Sequence, residues 1–410
     1  MNAPATLTAV RSNPGVAQSS PPPSLIAWDL IHKLIAFDTT SRESNLALID
    51  WVRDYLRAHG VESTLTFDDD QRKANLFATL PAQDGNVVAN GIVLSGHTDV
   101  VPVDGQPWDT NPFEATMIGD KLFGRGVADM KSFSATGLAF VPEFLRRGLR
   151  RPIHFALSYD EEIGCIGVRR LIDDVLKRGV KPVGCIVGEP TGMQLVVAHK
   201  GKQSYRCVVR GHEAHSSLTP IGVNAVQIAC EIVTYLTNMA RAFRDNGAFD
   251  DAYDVPYTTV HTGVIHGGTA LNIVPRDCWF DFEFRHLPFD DPDELFAEVK
   301  GYAERFLPGM HAVAADTFIQ FDQMSTMPGL DTQGGSEIAE IGKHCNGTHD
   351  YGKVSFGTEA SLFHNAAIPT IICGPGHIAQ AHQPNEWVAL EQLAQCEAFM
   401  RRLADRLCVA

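Results

Sequence analysis

Five short segments of this 410-residue chain carry residue types that bind divalent metal ions, and each follows an apolar run or a glycine-containing turn. The side chains concerned are His97, Asp99, Asp129, Glu161, Glu162, Glu189 and His382. Imidazole and carboxylate donors without a thiolate suit zinc, cobalt or manganese. Each segment alone has an ordinary loop interpretation, but the five together indicate a metal centre.

The first segment pairs a histidine with an aspartate two residues later. In an extended strand, residues two apart point to the same face, so His97 and Asp99 can act together. His97 can bind a metal through its imidazole, and Asp99 can accept the other ring N–H and fix the tautomer. The same pattern also fits a strand end followed by a capping aspartate.

The next two segments place carboxylates at turns. Asp129 follows a run containing Gly124 and Gly126, which permits close backbone approach, although Asp129 could also simply cap the following helix. Glu161 and Glu162 follow an apolar run with a further aspartate beside them. Adjacent carboxylates repel one another, and a bound cation would offset that repulsion. A solvated acidic turn is the alternative.

The surrounding pattern alternates strands with helices. The strands predicted from apolar runs are 75–80, 91–95, 153–158 and 184–188, and the helices predicted from periodicity are 25–35, 45–59, 132–146 and 167–178. This alternation predicts an α/β fold with a mostly parallel sheet flanked by helices. Such sheets bind ligands at the carboxyl ends of their strands, where the candidate ligands fall.

A different pattern occupies the middle of the chain. Residues 203–210, 224–241, 257–266, 273–285, 293–306 and 313–321 read as strand, helix, strand, strand, helix and strand. That order predicts an inserted α+β, ferredoxin-like domain over residues 199–322, acting as a lid and dimerisation unit. The α/β pattern then resumes with 335–345, 369–373 and 390–407. We therefore expect a catalytic domain over 24–198 and 323–410, and a disordered tail over the Pro- and Ser-rich residues 1–23.

The bulk properties argue against several classes of protein. The formal net charge is -15, which disfavours nucleic acid or an anionic membrane as a partner. Nine scattered cysteines without a Cys-x-x-Cys pair disfavour a disulfide framework or a zinc finger, and predict a reduced, cytoplasmic protein. The sequence has no apolar run that is long enough to predict a membrane span. The chain also has no Gly-x-Ser-x-Gly segment, which disfavours a serine hydrolase of the α/β type.

The five motifs, in this order and with an insert between the fourth and fifth, resemble the zinc-dependent aminoacylase and carboxypeptidase family over residues 25–408. Segments 199–201, 355–360, 373–376 and 380–382 resemble the members that deacetylate N-acetylornithine more than other members. The resemblance implies hydrolysis of N-acetyl-L-ornithine to L-ornithine and acetate. Alternatives are desuccinylation of N-succinyl-diaminopimelate, general hydrolysis of N-acyl amino acids, or an inactive relative that only binds a metal or ligand.

The resemblance also implies a ligand set for two divalent metal ions, zinc or alternatively cobalt. It implies that Asp129 bridges the two ions. His97 and Glu189 would complete one ion, and Glu162 and His382 the other.

Two further roles come with this resemblance. Glu161 would be the general base and Asp99 the residue that orients His97. Two metal ions about 4 Å apart can activate a water molecule and polarise a carbonyl oxygen, and Glu161 could move the proton from that water to the leaving amine. The resemblance implies, in addition, a cis peptide bond between Asp129 and Met130.

Four residues are candidates for contacting the substrate. By the resemblance, His215 would reach across a homodimer and donate a hydrogen bond to the developing oxyanion, although it could be an ordinary surface histidine. Asn272 and Arg285 are candidates for holding the substrate carboxylate, and Arg285 equally fits an ion pair on a strand face. Glu359 is a candidate for binding the ammonium of ornithine, and it also fits a favourable first-turn position in a helix.

Overall fold

The computed structural model describes residues 24–409, so the predicted tail over residues 1–23 lies outside it. The α-helices are α1 (Trp28–Ile35), α2 (Leu46–Ala58), α3 (Lys131–Ala139), α4 (Val141–Arg147), α5 (Ile166–Lys177), α6 (Ala225–Asn246), α7 (Pro292–Glu304), α8 (Leu307–Val313), α9 (Glu337–Asn346), α10 (Ala360–Asn365) and α11 (Leu390–Leu407), with a 3₁₀ helix at Ser216–Ile221. Within the described residues, no helix is both long and apolar enough to cross a membrane.

The strands belong to one large sheet and three smaller ones. They are β1 (Ser63–Phe67), β2 (Ala74–Leu80), β3 (Ile92–His97), β4 (Thr116–Ile118), β5 (Lys121–Phe123), β6 (Ile153–Ser158), β7 (Gly184–Pro190), β8 (Val196–His199), β9 (Gly201–Arg210), β10 (Ala214–His215), β11 (Thr259–Gly267), β12 (Ile273–Val274), β13 (Asp277–His286), β14 (Phe318–Met327), β15 (Leu330–Asp331), β16 (Gly352–Val354), β17 (Thr370–Gly374) and β18 (Trp387–Ala389).

The large sheet has the strand order β1-β2-β6-β3-β7-β17-β8-β15, with β16 beside β8. Its central strands β6, β3, β7 and β17 pair in parallel and are buried along their whole length. Strands covered on both faces read as continuous apolar runs rather than alternating ones. The predicted α/β class, with its mostly parallel sheet, is confirmed.

Two hydrophobic cores cover the two faces of this sheet. Successive residues of a strand point to opposite faces, and accordingly Ile92 and Leu94 join one core while Val93 joins the other. The first core contains side chains of α1, α2, α3, α4, α9 and α11, and the second contains side chains of α5 and α10. The carboxyl ends of the central strands are therefore held between two packed helical layers.

The middle of the chain forms a separate antiparallel sheet in the order β11-β13-β9-β14. Burial alternates strictly along β9 and β13, and the buried side pairs with α6 and α7 around a third core. This arrangement agrees with the strand and helix order expected for an inserted unit. The division of the chain at residues 199 and 322 remains a proposal, and residue 322 falls inside β14.

One predicted strand begins at the wrong place. The segment predicted as a strand over 313–321 begins with the end of α8, and β14 starts only at Phe318. Pro308 lies in the first turn of α8, where its fixed φ angle favours a helix. Met310 is buried in the third core and Leu307 packs against it, so apolar contacts with the sheet accompany this short helix.

Candidate metal centre

Three neighbouring parallel strands bring candidate ligands to one edge of the large sheet. β3 lies between β6 and β7, so His97 at the end of β3 meets Glu162 from the turn after β6 and Glu189 from β7. Asp129 enters from the loop that precedes α3, and the peptide bond between Asp129 and Met130 is cis, as the resemblance implied.

Asp129 lies between two histidines, with one carboxylate oxygen facing each. Its Oδ1 is 2.9 Å from His97 Nε2, and its Oδ2 is 3.4 Å from His382 Nε2. His97 Nε2 is also 3.8 Å from Glu189 Oε1, while His382 Nε2 is 2.9 Å from Glu162 Oε2. The structure thus brings all five predicted ligands together, in two pairs that share one central carboxylate.

The hydrogen bonding of His97 leaves a lone pair aimed into this cluster. Its Nδ1 lies 2.9 Å from the backbone carbonyl of Asp99, and because a carbonyl only accepts, Nδ1 carries the hydrogen. Nε2 can therefore face the carboxylate of Asp129 in two ways: as a bare lone pair when His97 is neutral, or as a proton donor when His97 is protonated. Two acceptors at this distance require a proton or a cation between them, so the donor set fits a divalent metal ion.

A second observation supports the same fit. Glu189 Oε1 is buried and has no hydrogen-bond partner among the described residues, a costly state for a carboxylate unless a cation occupies the position. Ligand atoms of His97, Asp129 and Glu162 lie within 4.8 Å of one another, as do those of His97, Glu161 and Glu189. Geometry alone therefore allows Glu161 as a ligand as well as a base.

Burial shapes the electrostatics of the cluster. It raises the pKa of Glu161 to about 8 and that of Glu162 to about 6, and it raises the pKa of Glu189 well above its usual value. Burial acts in the same direction on Asp129, but hydrogen bonds from His382 and His97 outweigh it and hold the pKa of Asp129 far below normal. A bound cation would favour the ionised form of every one of these carboxylates.

His382 differs from the other four candidate ligands in its exposure. Its side chain is 52% exposed, whereas those of Asp129 and Glu162 are almost fully buried. Its backbone has a φ of 63°, the left-handed region, which is strained for a residue with a Cβ and is common at functional sites. The cluster therefore has one closed side and one side that faces solvent.

Asp99 orients His97 by a route that the sequence did not reveal. The backbone carbonyl of Asp99, rather than its carboxylate, accepts the Nδ1 hydrogen, and the nearest carboxylate oxygen is 3.6 Å away. The carboxylate instead accepts the backbone N–H groups of Glu161 and Glu162 at 3.1 and 3.3 Å, and the Ser41 hydroxyl at 2.7 Å. Asp99 therefore fixes both the histidine and the acidic turn, and Ser41 is a contributor that the sequence analysis missed.

Two of the predicted substrate-contacting residues lie at the short strand pair formed by β10 and β12. His215 and Asn272 are exposed and lie together, since Ser216 N donates to Asn272 O at 3.0 Å where β10 pairs with β12. The side chain of His215 contacts Ser217, its Nδ1 lying 3.2 Å from the Ser217 backbone nitrogen. Across residues 24–409, neither residue is hydrogen-bonded to any of the five ligands.

Arg285 and Glu359 also have contacts other than those predicted. Arg285 Nε lies 3.1 Å from Glu283 Oε1 on the same strand, which is the strand-face ion pair considered as the alternative. Glu359 is fully buried, and its two carboxylate oxygens accept the hydroxyls of Ser95 and Ser158 at 2.6 and 2.7 Å. Since both oxygens are engaged and no part of the side chain is exposed, Glu359 does not present a surface to a substrate ammonium in this structure.

Comparison with known proteins gives consistent matches. Residues 93–406 match the model of peptidase family M20/M25/M40. The acetylornithine deacetylase of Proteus mirabilis (strain HI4320) is 31% identical over 379 residues, covering 92% of this chain and 93% of the relative. That of Myxococcus xanthus is 32% identical over 380 residues, covering 92% of this chain and 96% of the relative.

Solved structures show the same fold at lower identity. Aminopeptidase PepT from Bacillus cereus ATCC 10987 superimposes with a TM-score of 0.73 at 20% identity, covering 92% of this chain and 97% of that one. The M20 family metallo-carboxypeptidase Sso-CP2 from Sulfolobus solfataricus gives 0.72 at 18% identity, covering 92% and 98%. The Bacillus subtilis YXEP protein, a dinuclear metal-binding peptidase of the M20 family, gives 0.65 at 15% identity, covering 92% and 97%.

Proposed function

We propose, because this chain belongs to peptidase family M20/M25/M40, that it is a metal-dependent amide hydrolase that converts N-acetyl-L-ornithine to L-ornithine and acetate, a step of arginine biosynthesis. The observation that carries the hydrolytic part is the placement of Asp129, whose two oxygens face two different histidines. The identity of the acyl amino acid rests on the relatives at 31% and 32% identity, which are named acetylornithine deacetylases.

We assign five residues to two divalent metal ions, with zinc as the first choice and cobalt as the alternative. Asp129 would bridge them, His97 and Glu189 would complete one ion, and Glu162 and His382 the other. Two observations support this assignment: neutral His97 would direct the lone pair of Nε2 at Asp129, and Glu189 Oε1 has no hydrogen-bond partner among the described residues. When bound, such ions polarise the amide carbonyl and make a water molecule more acidic.

The chain's own residues would handle the proton and the orientation of the site. Glu161 accepts the proton of the attacking water and returns it to the departing amine nitrogen. Because the thiol of Cys165 lies 3.1 Å from Glu161 Oε1, we assign the transferred proton to Oε2. Asp99 holds the backbone of Glu161 in place by accepting its N–H.

A side-by-side assay tests the substrate assignment. Protein supplied with zinc or cobalt would be offered N-acetylornithine, N-succinyl-diaminopimelate and N-acetylmethionine at the same concentrations. We expect the highest kcat/KM for N-acetylornithine, by about tenfold or more, which corresponds to about 1.4 kcal/mol of discrimination. A higher kcat/KM for either of the other two compounds would show that the assigned substrate is wrong. Two bound metal ions without turnover of any of the three would contradict the proposed substrate and favour the alternative of an inactive relative.

We further propose that the protein works as a cytoplasmic homodimer on small molecules, without nucleic acid or membrane partners. The nine cysteines are all free in the structure, and only Cys230 is exposed, which suits a reducing compartment. In the proposed dimer, His215 would serve the partner's site as a donor: if its Nδ1 accepts the Ser217 N–H, its Nε2 carries a hydrogen and can donate it to an oxyanion. We also propose that Asn272 and Arg285 bind the carboxylate of the substrate.

Mixing two inactive variants tests the dimer. Glu161→Ala and His215→Ala chains should each have little activity, but a heterodimer contains one site with an intact base and an intact donor. After subunit exchange we expect recovery of up to about a quarter of the wild-type activity, because half of the dimers are mixed and each has one good site. The double variant mixed with His215→Ala is the control and should recover nothing. If subunit exchange is proven and no activity is recovered, His215 does not act in the partner's site.

A further inference from the structure

Glu386 is a buried carboxylate four residues after His382 in the sequence. It is 1% exposed, and four donors surround its two oxygens. They are Arg125 Nη1 at 2.8 Å and Gly126 N at 3.0 Å on Oε2, and Ala128 N at 2.8 Å and Asp129 N at 3.1 Å on Oε1. Three of the four are backbone N–H groups of the loop that presents Asp129 to the cluster. The carboxylate therefore holds that loop along its length.

The same network continues to a second ligand of the cluster. Arg125 is also buried, and its Nη2 donates to Gln106 Oε1 at 2.7 Å. Gln106 Nε2 in turn donates to the backbone carbonyl of His382 at 3.0 Å. An unbroken series of side-chain contacts thus joins the backbone of Asp129 to the backbone of His382 through Glu386, Arg125 and Gln106.

We propose that Glu386, Arg125 and Gln106 are positioning residues that set the separation of Asp129 and His382, and thereby the affinity for metal. The proposal rests on the metal centre proposed above. Glu386 and Gln106 each act through the backbone of a ligand, and Arg125 joins these two side chains. Residues around a metal's ligands commonly tune its affinity in this way, and changing one typically costs about 10- to 100-fold.

The chemistry of the network requires a carboxylate at residue 386. A carboxylate offers two accepting oxygens, and all four neighbours of Glu386 are donors. Glutamine has nearly the same shape but only one oxygen, so its amide N–H₂ group would face either Arg125 or the loop N–H groups. On one side of the network, two hydrogen-bond donors would then face each other. The charge of Arg125 would be buried without a carboxylate partner. Glu386→Gln is therefore a small change in size that should release the loop.

Metal affinity measured by competition with a chelator tests the proposal on the full chain. We expect Glu386→Gln to bind zinc or cobalt at least about tenfold more weakly than the wild type, with activity partly restored by excess metal. Glu397→Gln is the matched control, because Glu397 is also buried and accepts a backbone N–H, that of Ala27 at 2.8 Å, but does so on α11 outside the cluster. It should bind metal as the wild type does, even if its thermal unfolding temperature falls.

A second variant keeps the test decisive if Glu386→Gln does not fold. Gln106 is only partly buried, and Gln106→Met removes the link to His382 while leaving Glu386 and Arg125 paired. We expect weaker binding of one of the two ions, that of His382, and unchanged binding of the other. Wild-type affinity for both ions in Gln106→Met and in any folded Glu386→Gln would overturn the positioning role alone. A wild-type protein that binds no metal would overturn this inference together with the proposed function.

Discussion

Replacing Glu161 by glutamine should leave two metal ions bound per chain while lowering kcat by about 10²-fold or more, since a general base contributes at least that factor. Glutamine keeps the size of the side chain and an oxygen for the Cys165 thiol, which lies 3.1 Å from Glu161 Oε1. It cannot accept a proton from water at neutral pH. The change therefore removes the proton transfer and leaves the packing in place.

The neighbouring residue supplies the matched comparison. Glu162→Gln alters the carboxylate whose Oε2 is 2.9 Å from His382 Nε2, so it should lose metal as well as activity. Metal analysis and steady-state kinetics on the two variants separate a base from a ligand. Near-normal kcat in Glu161→Gln would show that Glu161 is not the base. Loss of one ion from that variant would show that Glu161 is a ligand, which its proximity to His97 and Glu189 permits.

The second large effect concerns Asp129. Asp129→Ala should lose nearly all metal on dialysis, more than any other single ligand change, because one carboxylate faces both His97 Nε2 and His382 Nε2. Each other predicted ligand serves one ion, so its removal should leave the other ion bound. Metal content per chain, measured after dialysis against metal-free buffer, gives the result directly.

Asp160→Asn is the control for that experiment. Asp160 is an aspartate beside the same cluster, but its carboxylate pairs with the ammonium of Lys73 at 2.5 Å and is not among the predicted ligands. The Asp160→Asn protein should retain both ions. Two ions still bound to Asp129→Ala would contradict the bridging arrangement.

The central strands of the large sheet could be predicted from the local sequence. The central strands β3, β6, β7 and β17 are buried on both faces, and that burial appears in the sequence as continuous apolar runs. The ends of those runs therefore pointed to the side chains that meet at the sheet edge. The short helix α8 was not predicted, because seven residues are too few for a helical period to stand out.

The contacts that the sequence could not reveal join residues far apart in the chain. Glu386 and Asp129 are 257 positions apart, and Ser95 and Glu359 are 264 apart. No periodicity or spacing encodes such a pair. For Glu359, the alternative of a position at the start of a helix was closer than substrate binding, since this residue directly precedes α10. The two serines that donate to its carboxylate come from β3 and the end of β6.

If two ions bind as proposed, the exposure of His382 should give them different rates of exchange. An ion held by His97 and Glu189 would be enclosed by side chains that are almost fully buried, whereas His382 is 52% exposed. Solvent and competing ligands reach the second position directly, so we expect its ion to be labile and the first to be inert to exchange. A protein kept in mixed metals would then carry a long-lived ion at the enclosed position and, beside it, an ion whose identity follows the composition of the surrounding solution.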